Sequence, residues 1–259
     1  MPRGNLILLA IIVTLSPTLI YIVFTLLAFN YRFRQVRPSL SAIDFSLTKP
    51  LFLLSVRFFI VQLTALMIYA SANVLITNLF EPKEVIVYNL AYTIFNAAIL
   101  VMSLCLSPVW SAVTDAYHMK DFIFLKKTLK RLNYLSLIFS IGIAIILIFS
   151  NYIYWYWLHG KVIIPFNMSL SMAIYAVVFM FQAPYSIYVN GMGKMKMTTS
   201  LSVAGIVIYF FSAVTISKYI NSSAGVILGI TLSSIIGLIV QRIQVTKLLA
   251  GKATGIWNV

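Results

Sequence analysis

The chain has 259 residues, of which 61% are hydrophobic and only 9% charged, far below the roughly 25% charged residues of a soluble domain. That balance excludes a soluble enzyme and calls for lipid as solvent. The net charge of +14 does not point to nucleic acid, because Lys and Arg are spread through short gaps between apolar runs and make no basic face.

Runs long enough to cross a hydrocarbon core of about 30 Å as helices recur along the whole sequence. Seven spans are expected, at residues 5–29, 51–79, 85–112, 133–150, 162–189, 200–217 and 223–241, which makes the fold class an all-α integral membrane protein. The first run is too long for a signal-peptide core and no small-x-small cleavage site follows it, so it is expected to stay as a helix. Pro17 inside it is tolerable in a membrane, where neighbours satisfy the freed carbonyl. Between the third and fourth spans, residues 119–133 repeat Phe122, Leu125, Leu129 and Leu132 at helical spacing opposite Lys126, Lys127, Lys130 and Arg131. That pattern predicts an amphipathic helix lying on the membrane surface. After the fourth span Tyr152, Tyr154, Trp155, Tyr156 and Trp157 suit the headgroup layer as an anchor, with a sugar-stacking site as the alternative.

Loop charge sets the expected orientation. Arg32, Arg34, Arg37 and Lys49 fall in one set of loops with Lys120, Lys126, Lys127, Lys130, Arg131, Lys194, Lys196, Arg242, Lys247 and Lys252, and that side should be cytoplasmic. The alternate set carries single cations, Arg3, Lys83, Lys161 and Lys218, with Lys83 between Glu81 and Glu84. The N-terminus is therefore expected outside and the C-terminus inside.

Polar groups at membrane depth need partners or water, so they carry the functional signal. On the second span Arg57, Thr64, Ser71 and Asn78 fall within about 60° of one another, with Ser55, Gln62, Tyr69 and Asn73 nearly opposite. The third span places Asn89, Tyr92, Asn96, Ser103, Ser107 and Trp110 on one side; the fifth places Asn167, Ser171, Tyr175, Gln182 and Tyr185 on one face. Three such stripes together are expected to enclose a hydrophilic path, although any one of these residues alone reads rather as helix glue. The candidates for lining it are Arg57, Asn73, Asn89, Tyr92, Asn96, Tyr175 and Gln182. Arg57 lies about 10 Å from the near end of its span, where a guanidinium either snorkels or meets an anion. Asp115 reads as a pairing partner for nearby cations. Cys105 is the only cysteine and His118 and His159 the only histidines, so no metal, cofactor or catalytic group is expected.

The order of Arg57-Phe58-Phe59 and Gln62, Asn73-Val74-Leu75-Ile76, Tyr88-Asn89, Ala91-Tyr92, Pro108-Val109-Trp110-Ser111-Ala112, Asp115-Ala116-Tyr117 and Lys120-Asp121-Phe122 resembles the polysaccharide transporter family, which flips undecaprenyl-pyrophosphate-linked oligosaccharides for O-antigen or capsule synthesis. Asn190-Gly191-Met192-Gly193-Lys194 is similar to that family's loop between its tenth and eleventh helices. The resemblance covers nearly the whole chain. It implies two six-helix lobes around a central cavity. Here it would assign residues 1–49 to the last helix of a first lobe and a cytoplasmic linker, and residues 50–259 to a complete second lobe, hence an expected truncated product.

What the resemblance implies is a flippase of the bacterial inner membrane with a lipid-linked oligosaccharide as cargo, membrane lipid around it, and a missing first lobe or polysaccharide-assembly proteins as further partners. Amides and aromatics would suit the sugar, and Arg57 the pyrophosphate. A multidrug-type cation antiporter is the second transport reading, but it needs an intramembrane carboxylate, and the spans contain none. A non-transporting scaffold for polysaccharide assembly is the third.

Overall fold

The computed structural model describes residues 4–39 and 44–258. Arg3, Val259 and residues 40–43 of the expected linker lie outside the described residues. Among those described there is no strand, and seven helices are long and apolar enough to cross a membrane. The protein is an all-α, multi-pass membrane protein. It divides into two compact units, Met1–Leu51 and Phe52–Val259.

The first unit is built on α1 (Gly4–Leu27), which continues as a wider π turn, Ala28–Arg32. From Leu8 to Leu27 every side chain is exposed. A helix apolar on nearly every side suits contact with lipid. Two short 3-10 turns, Arg34–Val36 and Phe45–Leu47, follow. Asp44 caps the second by accepting from the Ser46 N–H at 2.8 Å, and hydrogen bonding from the Ser46 side chain, then from this N–H, holds its carboxyl below the ordinary value.

The second unit holds α2 (Thr48–Leu79, from Phe52 on), α3 (Pro82–His118), α4 (Phe122–Ile148), the short α5 (Ser150–Leu158), α6 (Phe166–Gly191), α7 (Lys196–Ile220) and α8 (Ala224–Leu249). Helices α6 and α8 are the inner ones, with 44% and 50% of their span residues buried. Methionines fill the gaps around them, with Met168, Met172, Met180 and Met195 fully enclosed, a use that suits their unbranched, adaptable side chains. Glycine lets α7 and α8 touch backbone to backbone. A Cβ at Gly225 would lie 2.4 Å from Ser217 Cα, and one at Gly229 2.7 Å from Ala213 Cα. Close approach of this kind is how membrane helices associate without a hydrophobic driving force. Side-chain hydroxyls then bond neighbouring backbones: Ser136 donates to Met180 O at 2.7 Å, Tyr188 to Leu125 O at 2.6 Å, and Thr114 to Gly191 O at 2.9 Å.

Three local expectations change. The basic segment at 119–133 is no separate surface helix: it forms the Met119–Asp121 turn and the first turns of α4, with Leu125 and Leu132 buried in the bundle. A helix of 27 residues is about 40 Å long, longer than a hydrocarbon core of about 30 Å, so it has the length to carry its basic turns past the apolar layer while its leucines pack on protein. The fifth span starts at Phe166, not 162, because Pro165 takes an extended conformation at its N-cap. The aromatic run forms α5, in which Tyr154 is buried and accepts from Ser169 at 3.2 Å, while Tyr152, Trp155 and Tyr156 stay exposed.

Candidate functional site

Helix α2 makes few close backbone approaches to its neighbours and joins the unit through long side chains. Phe58 stacks on Trp110 at 5.8 Å, Asn89 donates to Asn73 at 3.3 Å, the Tyr69 and Tyr175 hydroxyls meet at 2.5 Å, and Ser71 donates to Tyr209 at 3.4 Å. Standing off in this way, α2 leaves a cavity of about 200 Å³ between itself, α6, α7 and α8.

The walls follow helical periodicity. Helix α2 gives Val61, Thr64, Ala65, Ile68 and Tyr69; α6 gives Tyr175, Phe179 and Gln182; α7 gives Thr198, Leu201, Ser202 and Gly205; α8 gives Ile230, Ser233, Ser234, Gly237 and Gln241. Because the helices alternate in direction, Tyr69, Tyr175 and Ile230 mark one end and Val61, Gln182, Thr198 and Gln241 the other. The first end is aromatic: Tyr92 lies 6.2 Å from Tyr69 and 6.1 Å from Tyr88, so tyrosines of α2, α3 and α6 meet there. The second end is hydroxyl and amide. Ser186 donates to Gln241 Oε1 at 2.7 Å. The Thr198 hydroxyl is buried without a partner among the described residues, and Gln182 makes no hydrogen bond among them.

Gly237 is what admits the Gln182 amide, since a Cβ there would lie 2.6 Å from its Nε2. Likewise a Cβ at Gly205 would lie 2.8 Å from Ser233 Oγ, which donates to Gly205 O at 3.2 Å. Among the described residues no Asp, Glu, Lys, Arg or His lines the cavity, so its walls offer neutral donors and acceptors beside aromatic faces. Such a surface can exchange hydrogen bonds with polyhydroxylated groups but cannot neutralise a full charge. Among the described residues no group of three His, Cys, Asp or Glu is arranged for a metal.

Of the residues expected from sequence, Tyr175 and Gln182 line this cavity. Arg57 is half-buried and does not line it, but it continues the same face of α2 one turn beyond Val61, as 57, 61, 64 and 68 follow helical spacing. It has no ion pair or hydrogen bond among the described residues. Asn73 and Asn89 are paired with each other, Tyr92 backs Tyr69, and Asn96 is half-buried. Helix α3 therefore does not share the enclosure expected of it. Its buried side is Tyr88, Ala91, Phe95, Ile99, Met102 and Leu106, which packs into the core, and this turns its polar stripe toward α2, with Asn89, Ser103 and Ser107 exposed. The α6 stripe also splits: Asn167 donates to Ser222 at 3.0 Å, and Tyr185 accepts from Asn133 at 3.3 Å.

The residues missed from sequence are those of α7 and α8. Thr198, Ser202 and Gly205, and Ser233, Gly237 and Gln241, recur every three or four positions, and that spacing of small and polar residues was the available signal. Compared with family models, with curated proteins and with solved structures, the chain matches none.

Proposed function

We propose that this protein is a flippase that carries the polar head of a lipid-linked oligosaccharide across a bacterial cytoplasmic membrane, for O-antigen or capsule assembly. The observation that carries the reading is the cavity at membrane depth, whose walls combine unpaired amide and hydroxyl groups with tyrosines. Polar groups in that setting are costly unless they meet polar cargo or water. A sugar offers both hydroxyls and an apolar ring face, which match the two ends of the cavity. The space of about 200 Å³ corresponds to about seven waters at roughly 30 Å³ each, enough for one ring and not for a repeat unit. Passage therefore requires α2 to move away from α6, α7 and α8, and its attachment by side-chain tips favours that motion. Arg57, one turn beyond the cavity, is the group suited to the pyrophosphate.

A cation antiporter is disfavoured because no carboxylate faces the cavity. Nothing in the site calls for bond-making chemistry, so transport and not catalysis is proposed.

The test is transfer in proteoliposomes loaded with an undecaprenyl-pyrophosphate-linked oligosaccharide. A membrane-impermeant glycosidase should consume more than the outer-leaflet share only when the protein is present. Digestion limited to the outer leaflet, with folded protein in the vesicles, would leave the scaffold reading.

A further inference from the structure

The Thr198 end of the cavity is tied by a part of the chain that does not line it. Helix α8 ends at Gly251, φ +67°, with the Gly251 N–H on Leu248 O at 3.1 Å and the Lys252 N–H on Lys247 O at 2.9 Å. This pairing of the last carbonyls around a left-handed glycine reverses the chain. The turn Gly255–Asn258 then packs back on both α7 and α8. Helix α6 ends in the same way at Gly193, φ +67°, with the Lys194 N–H on Val189 O at 3.0 Å, just before α7 begins.

Four contacts join these pieces. Lys194 Nζ donates to Asn258 O at 2.8 Å. Gln244, fully buried on α8, donates through Nε2 to Lys194 O at 3.0 Å and to Trp257 O at 3.4 Å. The Lys247 ammonium sits 4.2 Å from the Trp257 ring centroid. One buried amide therefore holds the start of α7, the tail and α8 together.

Little else secures that start. Its N-cap, Met195, is buried but gives no side-chain cap bond, and the Thr198 hydroxyl has no partner among the described residues. The tight backbone contact of α7 with α8 lies at Ala213 and Ser217, about 25 Å along the helix. The nearer tie of α7 to α8, Ser233 Oγ donating to Gly205 O at 3.2 Å, lies about 10 Å from Thr198, so the turns before Gly205 are the free end of the helix, and two of the ties across that end are made by lysines, one of them at the exposed Lys194–Asn258 contact. Such contacts compete with water and salt.

We propose that the turn Gly255–Asn258 is a releasable clasp. Closed, it holds the first turns of α7 against α8 and seals the Thr198 end of the cavity. Released, it lets those turns move away and admits water. The inference does not depend on what the cavity carries.

The test uses the full chain with Cys105→Ala and Thr198→Cys, a change that sacrifices no hydrogen bond, and measures its reaction rate with a hydrophilic maleimide. Two further variants release the clasp. Gln244→Leu removes both tying bonds while keeping apolar bulk, and a stop after Ala253 removes the turn. Loss of two neutral hydrogen bonds corresponds to about a thirtyfold shift of an opening equilibrium, so both variants should react about thirtyfold faster. Ile227→Cys, fully buried on α8 beside the pinned end and smaller than the residue it replaces, should stay protected in every background. An unchanged rate at Thr198→Cys in both variants, or equal acceleration at Ile227→Cys, overturns the proposal.

Discussion

Arg57 concentrates the question of what the site binds. It is half-buried, unpaired among the described residues, and one turn from the cavity along a continuous face of α2. If its planar donor fork meets a pyrophosphate, Arg57→Lys should lose part of the transport and Arg57→Gln most of it. If the guanidinium only reaches for headgroups, Lys serves equally and Gln has a small effect. Surface polysaccharide in a flippase-deficient strain, at matched membrane levels, separates the two, and near-normal polysaccharide with Gln removes Arg57 from the site.

Legibility in the sequence differed residue by residue for a physical reason. Tyr175 and Gln182 stood out because a phenol and an amide are conspicuous in an apolar span. Thr198, Ser202 and Ser233 did not, because Ser and Thr within membrane helices usually bond a carbonyl of their own helix. Thr64 and Ser202 do so here, to Val61 O at 2.7 Å and Thr198 O at 2.9 Å. Only packing distinguishes the Thr198 hydroxyl, which has no such bond, from its neighbours.

Among the elements, α7 and α8 form the rigid pair and α2 the loosely attached one. At Gly225 a Cβ would meet Ser217 backbone atoms at 2.4 Å, and backbone cannot yield as a side-chain tip can. Gly225→Ala should therefore force the helices apart at a cost of about 3 kcal/mol, the upper part of the range for overpacking. A clear fall in thermal unfolding temperature in detergent would register it, whereas Gly142→Ala, inside α4 with no atom within 4 Å of the added Cβ, should leave that temperature unchanged or slightly raised. Removing the Tyr69 hydroxyl leaves the buried Tyr175 hydroxyl without its partner and should cost about 1–3 kcal/mol.

The basic segment before the fourth span shows why element boundaries were harder to read than elements. Alternating leucine and lysine faces are produced equally by a helix lying on lipid and by a span that continues past the hydrocarbon with its leucines on protein. The sequence contains no information about which apolar surface will cover Leu125 and Leu132. The tertiary contact with α6, where Tyr188 reaches Leu125 O, decides it.

At the scale of the whole molecule, all seven expected spans are present as helices long and apolar enough to cross a membrane, because continuous apolar length is a strong signal. The alternation of charge among the connecting loops makes a separate prediction about sidedness. Lys126, Lys194 and the C-terminal end should be cytoplasmic, and Lys83 and Lys161 external. Single-cysteine labelling from outside the cell should reach Lys83→Cys and Lys161→Cys and spare Lys126→Cys. Labelling of Lys126→Cys from outside would reverse the orientation.

Under the proposed function, polar cargo passes the bilayer along the cavity of α2, α6, α7 and α8, and Gln182 is the residue through which that passage is best probed. Its amide faces the cavity and makes no hydrogen bond among the described residues, so Gln182→Leu should leave the fold intact while removing a donor and an acceptor from the path. Transfer of undecaprenyl-pyrophosphate-linked oligosaccharide in proteoliposomes, at equal amounts of folded protein, should fall about fivefold, the equivalent of one lost hydrogen bond to cargo. Equal transfer by the two proteins would contradict the account.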